Sequence, residues 1–193
     1  YMKKSLFWQI PLAALAYLLL IILGVASGAI HPACYAYVGT VLPLLFAFVY
    51  LFAAAKMQCF GAAVALNGVV LLILLIGGEG NATLIIGMVL LTMIAEVLRR
   101  IFGYNTIKGV RASFLPFAYS HYAYTFHWWT DTENSLQAAV EEMPVGYADK
   151  MAKVIDNIPV LIIMLILVIP IAILAMRLAE KVMKKSSDSL SLF

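Results

Sequence analysis

The charge-free segments of this chain constrain its fold more than any other feature. No Asp, Glu, Lys or Arg occurs in the longest, Ser5–Ala55, or in four others: Met57–Gly78, Gly80–Ala95, Ala112–Thr130 and Asn157–Met176. Only 12% of the residues are charged, whereas a soluble domain of this length carries roughly a quarter. Because about 20 apolar residues cross a bilayer core as a helix, the chain is predicted to be a membrane protein, with two crossings in the first segment.

The same segments predict a single all-α integral membrane domain, residues 1–193, with six transmembrane helices. The spans are expected at about 6–24, 37–55, 59–77, 83–98, 112–129 and 158–177. The first apolar run is not typical of a cleavable signal peptide, because it is too long and no small-residue cleavage site follows it.

The placement of positive charge predicts the orientation, with both termini in the cytoplasm. Only Lys150 and Lys153 of the 13 basic residues then face outward. The inner segments hold the others: Lys3, Lys4, Lys56, Arg99, Arg100, Lys108, Arg111, Arg177, Lys181, Lys184 and Lys185. Such an excess of Lys and Arg is the usual mark of the cytoplasmic side. Glu96 precedes Arg99 and Arg100 at helical spacing, which permits ion pairing, so a position at the inner membrane edge is expected and a functional carboxylate is the alternative.

Two outer connections are unusual for a small helical bundle. The first contains His31-Pro32, and a residue before proline disfavours helix, so His31 is expected on a loop or re-entrant turn. The second runs from Thr130 to Asn157, which is long for a connection. It predicts two short amphipathic helices between spans five and six, the first at Asp131–Met143 and the second beyond Gly146. These helices would cover whatever lies between the spans.

Polar-tipped rings are concentrated near the outer end of the fifth span. Phe117, His121, Tyr124 and Trp128 share one helical face, and His127 borders it. His31 and Tyr35 are expected at the same membrane level, and all seven residues are candidates to line an outward-facing substrate pocket. Three alternatives stay open: an interfacial belt for the tryptophans, helix–helix hydrogen bonding for His121, and turn formation for His31-Pro32.

The motifs of common enzymes do not occur in this sequence. HExxH, GxSxG and P-loop patterns are all absent, so we expect neither catalysis nor ATP hydrolysis by this chain itself. Cys34 and Cys59 fall near opposite faces, which makes a disulfide implausible, and no intrinsic cofactor or metal is expected. A cation site formed by His127, Asp131 and Glu133 is a weak alternative. The net charge of +3 requires no nucleic acid partner.

Three sequence blocks resemble a known family. They are HPACYAYVGTVLPLLFAFVYLFAAAKMQCFG at 31–61, GMVLLTMIAEVLRRIFGYNTIKG at 87–109, and MPVGYADKM before the last span. Together with six spans and both ends inside, they resemble an S component of an energy-coupling factor (ECF) transporter, and more narrowly the group called Trep_Strep. The first block has a small-residue-rich span that ends in Lys, and the second has an Ala-acid pair followed by basic residues and a Gly-Tyr turn.

The resemblance implies a substrate-binding subunit in the cytoplasmic membrane of a prokaryote. It implies partnership with a transmembrane coupling subunit and two cytoplasmic ATPase subunits, with a small-molecule substrate held near the outer face. The family's first span usually contacts the coupling subunit through alanines, and here Ala13, Ala14 and Ala16 are the candidates. They depart from the family's three-residue spacing, because Tyr17 follows four residues after Ala13.

The resemblance also implies a class of substrate, since some members of the group are associated with haem uptake. His121, His127 or His31 would be candidate ligands of haem iron, and the aromatic rings could stack on a flat macrocycle. Lys150 and Lys153 are the basic partners that the outer face offers to carboxylates. A small vitamin or another flat heterocycle is an alternative. Two further alternatives are a membrane subunit with a permanent redox haem and a non-catalytic structural subunit.

Overall fold

The computed structural model describes residues 4–186, and the side chains of residues 8–185. Within that range the chain is helical and has no strand. Its α-helices are α1 (Lys4–Ala26), α2 (Pro32–Tyr37), α3 (Pro43–Lys56), α4 (Ala62–Ile76), α5 (Ala82–Phe102), α6 (Ile107–Phe117), α7 (Ser120–Thr125), α8 (His127–Thr130), α9 (Thr132–Glu142), α10 (Tyr147–Ile155) and α11 (Ile158–Ser186). Lys3 and the side chain of Lys4, which contribute to the predicted charge asymmetry, lie outside the described part.

Several helices are long and apolar enough to cross a membrane. In the described part, three segments meet this condition by length and composition: Trp8–Ala29, Ala82–Phe102 and Ile158–Lys185. The segments Pro32–Thr40 and Pro43–Lys56 meet it together, with a bend of 44° between them. The helix α4 is apolar but shorter, at 15 residues. An all-α membrane protein is therefore confirmed with three or four candidate spans, and six crossings stay a prediction.

The fifth predicted span, 112–129, is not the single continuous helix expected from its periodicity. It consists of α6, α7 and α8, separated at Ala118–Tyr119 and at Phe126. Pro116 lies in the last turn of α6, and a proline removes one backbone donor and disturbs the preceding turn. The Tyr119 N–H then bonds to the Pro116 carbonyl at 3.1 Å, as in a tighter 3₁₀ turn. This break changes which side chains share one face.

The two short helices predicted between spans five and six are confirmed as α9 and α10. Gly146 begins α10 with a φ of 81°, a left-handed conformation that glycine adopts without steric cost. The buried residues Met151 and Ile155 form one face of α10. The Tyr37 hydroxyl donates to the Val154 carbonyl at 3.1 Å, so α10 is joined to the end of α2.

At the opposite end of the bundle, Glu96 and Arg99 cap two other helices. The Glu96 carboxylate accepts the Ala63 N–H at 2.8 Å, at the N-terminus of α4. The Arg99 Nη2 atom lies 2.7 Å from the carbonyl oxygens of both Ala54 and Met57, at the C-terminus of α3. A carboxylate therefore stands at a helix start and a guanidinium at a helix end, as the helix dipoles favour.

This capping takes the place of ion pairing within α5. Among the described side chains, Glu96 forms no salt bridge with Arg99 or Arg100, so the pairing that the spacing permits is not formed. The physical reason is burial, because the exposed fractions of Glu96 and Arg99 are 1% and 0%. At such positions, backbone groups of neighbouring helices are closer partners than a side chain one turn along the surface.

The middle of the bundle is joined by a chain of buried hydrogen bonds. The Tyr17 hydroxyl donates to Asn67 Oδ1 at 3.0 Å, and Asn67 Nδ2 donates to Thr92 and Ser120 at 2.9 and 3.0 Å. These residues belong to α1, α4, α5 and α7, so one asparagine connects four helices. Buried polar groups with partners of this kind fix the mutual positions of helices.

Candidate functional site

Four of the candidate residues meet between α2 and the α7–α8 segment, and we call them the ring cluster: Tyr35, Tyr124, His127 and Trp128. The Tyr35 ring centroid lies 6.2 Å from that of Tyr124 and 6.1 Å from that of Trp128, with both pairs close to perpendicular. The His127 ring is 5.0 Å from Trp128 and 6.5 Å from Tyr124. These centroid separations lie within the range at which aromatic pairs attract each other.

His121 lies next to the ring cluster and contacts it through Tyr124, and the two ring centroids are 6.1 Å apart. The His121 ring is fully buried and occupies a slot between two glycines. A Cβ at Gly24 would lie 2.7 Å from His121 Cε1, and a Cβ at Gly39 would lie 3.3 Å from His121 Cδ2. Leu42 closes the same side, 2.8 Å from that Gly24 Cβ position. The backbone of two separate segments therefore leaves room for this one imidazole.

The polar atoms of this region lack partners to an unusual degree. In the described part, both ring nitrogens of His121, the Thr125 hydroxyl and the Trp128 indole N–H are buried without a hydrogen bond. The three residues lie at 121, 125 and 128, a spacing that places them on one helical face. Each buried polar group without a partner costs roughly 1–3 kcal/mol. Such a row is therefore unfavourable unless another molecule, water or a ligand, supplies the missing partners.

Charged groups lie at the edge of the ring cluster rather than within it. The Tyr124 hydroxyl donates to Glu79 Oε2 at 3.3 Å. His127 Nδ1 lies 2.7 Å from the Ser135 hydroxyl of α9. Lys150 and Lys153 of α10 are exposed to solvent. The deep part of the region therefore offers neutral hydrogen-bonding groups and ring faces, and charge is available only at its rim.

The α10 helix covers this region through Tyr147. A Cβ at Gly28 would lie 3.2 Å from the Tyr147 hydroxyl and from Tyr35 Cβ, so Gly28 permits the close approach of both tyrosines. Burial raises the pKa of Tyr147 above its ordinary value, so this hydroxyl stays neutral through the physiological range. The α10 helix therefore packs against the segment that joins α1 to α2, and the cover by both α9 and α10 stays a prediction.

Two of the seven candidates are placed elsewhere. His31 is exposed and begins α2, where its Nδ1 accepts the Ala33 N–H at 3.1 Å. This is the turn role that the sequence left open for His31-Pro32. Phe117 packs in the core, with its ring centroid 4.5 Å from Tyr50 and 5.1 Å from Tyr17. The break after α6 turns Phe117 away from the face that His121 shares with Trp128.

The weak alternative of a cation site at His127, Asp131 and Glu133 is not formed. Among the described residues, no group of three or more His, Cys, Asp or Glu side chains could hold a metal ion. The Asp131 carboxylate instead accepts the Asn134 side-chain amide at 2.8 Å, within the first turn of α9. Both cysteines are free, which agrees with the expectation that they form no disulfide.

The candidate contact residues of the first span lie mostly inside the bundle. Ala13 and Ala14 are 5% and 2% exposed, whereas Ala16 is partly exposed. The outward surface of α1 is formed instead by larger apolar side chains, including Leu12, Leu15 and Leu19. In this conformation, a partner helix would therefore meet Ala16 among leucines and would not reach Ala13 or Ala14.

Sequence reasoning missed three contributors to the region. Thr125 follows His121 by four residues and precedes Trp128 by three, so the helical spacing that selected its neighbours could also have selected it. Glu79 belongs to a glycine-rich turn that gave no sign of its contact with Tyr124. The slot formed by Gly24 and Gly39 had no local signal, because it depends on segments that are distant in sequence.

Comparison with known proteins relates the chain to a family of bacterial membrane proteins. A family model described as "Hypothetical bacterial integral membrane protein (Trep_Strep)" matches residues 9–186. No curated protein and no solved structure matches the chain. The matched range includes the ring cluster, the His121 slot and both helices between α8 and α11.

Proposed function

This chain belongs to the Trep_Strep family of bacterial integral membrane proteins, and on that premise we propose that it is the substrate-capturing subunit of an ECF-type importer. Its substrate is a small flat micronutrient, with a haem-like molecule as one possibility, taken up at the outer face of the cytoplasmic membrane. The chain then works with a transmembrane coupling subunit and two cytoplasmic ATPase subunits, and it carries out no catalysis itself.

The observation that carries the proposal is the row of unpaired polar atoms on His121, Thr125 and Trp128. A purely structural helix contact would gain by satisfying these groups or by replacing them with apolar side chains. A substrate-binding surface needs them free, because its ligand supplies the missing partners. The neighbouring rings of Tyr35 and Tyr124 add the flat apolar contacts that a planar ligand prefers.

The distribution of charge supports the proposed topology of six crossings with both termini inside. Arg99 caps α3 next to the turn that follows Lys56, so these basic residues belong to one end of the bundle. Glu79 contacts Tyr124, and Lys150 and Lys153 belong to the helix that covers the same end. In this topology the basic end faces the cytoplasm, and the ring cluster faces outward.

Within this function, a haem-like ligand would find its iron ligand in His121 or His127. His121 is buried and unpaired, which leaves its nitrogens available for metal ligation, whereas His127 already bonds to Ser135. Carboxylates of such a ligand would project to Lys150 and Lys153 at the rim. A permanent redox haem is less suited to this arrangement, because His31 is exposed and caps a helix instead of facing His121.

The proposal is tested by co-purification. The tagged chain, co-expressed with the coupling subunit and ATPases of its own source, should elute with all three partner proteins in constant proportion, and cells should accumulate substrate only when the ATPases can hydrolyse ATP. A matched preparation with an unrelated six-span protein controls for sticking in detergent. Elution of the chain alone, both in detergent and in lipid nanodiscs, would contradict the proposed role.

A further inference from the structure

A lateral groove lies on the side of the bundle directly behind His121. It has a volume of about 500 Å³ and is bounded by Leu23 and Gly24 of α1, Ile30 of the following turn, and Val41, Leu42 and Leu45 around the start of α3. Leu23, Ile30, Val41 and Leu45 are exposed by 58%, 81%, 53% and 44%. In a membrane protein such an apolar opening faces lipid, so the lateral groove is separate from the covered outer face.

Gly24 and Leu42 lie between the lateral groove and the imidazole of His121. Both residues border the groove, and the position of a Gly24 Cβ would be 2.7 Å from His121 Cε1 and 2.8 Å from Leu42 Cδ1. Gly24 has no side chain, and Leu42 can change rotamer without any shift of backbone. Movement of the Leu42 side chain would therefore bring the groove closer to a ring that has two unpaired nitrogens.

We propose that the lateral groove is the seat of a flat, largely apolar ligand that reaches this site from the bilayer and binds His121 through one metal centre or hydrogen-bonding group. This inference rests on the proposed function and assigns the side from which the substrate arrives. The ligand displaces the side chain of Leu42, its body lies along the groove, and its one polar centre meets an imidazole nitrogen.

The chemistry of the groove determines what this ligand is. Among the described residues that line the groove, Ser27 has the only polar side chain, and its hydroxyl already donates to the Gly24 carbonyl at 2.6 Å. None of these lining residues is charged, so ionic groups of a ligand would find no partner among them and would remain at the headgroup level. A volume of about 500 Å³ lies within the usual range of small-molecule sites. An apolar body with a single imidazole-binding group satisfies these conditions.

Hemin is a suitable probe because it is flat, apolar over most of its surface and able to bind imidazole. Absorbance titrations of the purified protein in detergent should show a saturable shift with hemin. His121→Ala should abolish that shift. Val41→Trp, which fills the groove from the lipid side, should weaken hemin binding by about tenfold or more, as expected for an overpacked site. Val182→Trp is the matched control, because Val182 is also 53% exposed, and it should titrate like the wild type.

The Leu42→Ala variant is a second test, in which hemin binding should become faster and not weaker. It does not depend on whether a tryptophan is tolerated at position 41. Removing the side chain between groove and imidazole should increase the association rate of hemin in stopped-flow measurements. A saturable shift that neither Val41→Trp nor Leu42→Ala alters would contradict the lateral groove as the ligand site. Capture of the substrate from the outer face would then remain the proposed route. A response that does not saturate in any variant would also contradict the proposal, because it would show no specific hemin site. Co-purification with the coupling subunit and ATPases is independent of hemin, so it reports separately on the proposed function.

Discussion

The two ends of this bundle treat buried polar groups in opposite ways. At the basic end, Glu96 and Arg99 are buried, yet both are anchored by backbone groups of α3 and α4, and each leaves only one polar atom without a partner. At the other end, His121 has no hydrogen bond at either nitrogen, and Thr125 and Trp128 share this condition. Burial is equal, so burial alone does not identify a functional residue. The satisfied groups hold helices together, and the unsatisfied ones remain available to a ligand.

The largest effect that this comparison predicts is at the basic end, for Arg99→Met. The guanidinium satisfies carbonyl oxygens at the end of α3 and in the following turn, and its loss leaves them buried without donors. We expect the free energy of unfolding to fall by roughly 3–5 kcal/mol, measured as thermal unfolding in detergent. Arg100→Met is the matched control, because Arg100 is adjacent but exposed, and it should melt like the wild type. Equal melting of both variants would show that the capping is not structural.

The second prediction concerns the slot of His121. In Gly24→Ala, the new Cβ would meet His121 Cε1 at 2.7 Å and Leu42 Cδ1 at 2.8 Å, so one of the two must move. We expect a loss of about 1–3 kcal/mol in stability from overpacking. Gly68→Ala is the control, since nothing lies within 4 Å of a Cβ there, and helix propensity should make it more stable by about 1 kcal/mol. Two variants that change stability in the same direction would contradict the slot.

The general architecture could be predicted from sequence, because it follows from local patterns. Charge-free segments gave the membrane class, and Pro144 and Gly146 separated α9 from α10 as expected. The spacing of Tyr124 and Trp128 also placed them on one face, where the structure brings Tyr35 against both. Pro116 is the one residue there that indicates a break in the fifth span, whereas the apolar periodicity around it favours a continuous helix. The displacement of Phe117 into the core follows from that break.

The rest depended on contacts between distant segments, which a single sequence does not reveal. The spacing of Glu96 indicates partners on its own helix, whereas its partner, the Ala63 N–H, lies at the start of another helix. Gly24 and Gly39 look like ordinary small residues until their backbones are seen on either side of His121. Whether a buried polar atom has a partner is likewise a property of the assembled bundle. The distinction between anchored and available groups therefore required the structure.

The third prediction separates two histidines that are close in sequence. His121→Leu removes two unpaired nitrogens from apolar surroundings, so we expect stability to rise by about 1–2 kcal/mol and the hemin shift to disappear. His127→Leu breaks the 2.7 Å contact with Ser135 and should lower stability by about 1 kcal/mol. Thermal unfolding and hemin titration should be measured for both variants, and for His31→Ala as a histidine variant outside the ring cluster. Destabilisation by His121→Leu that equals that of His127→Leu would assign His121 a structural role.

The smallest expected effect distinguishes two buried threonines. Thr125→Val deletes an unpaired hydroxyl while keeping the shape of the side chain, so stability should rise by up to about 1 kcal/mol. Thr40→Val makes the same chemical change where the hydroxyl lies 2.6 Å from the Tyr122 hydroxyl and 3.2 Å from the Met164 carbonyl, and it should lower stability by about 1 kcal/mol. Opposite signs from one chemical change would show that the α7–α8 face is kept unsatisfied at a cost in stability. If Thr125→Val also weakens hemin binding, the threonine hydroxyl contacts the ligand; unchanged binding would leave His121 as the polar contact of the ligand.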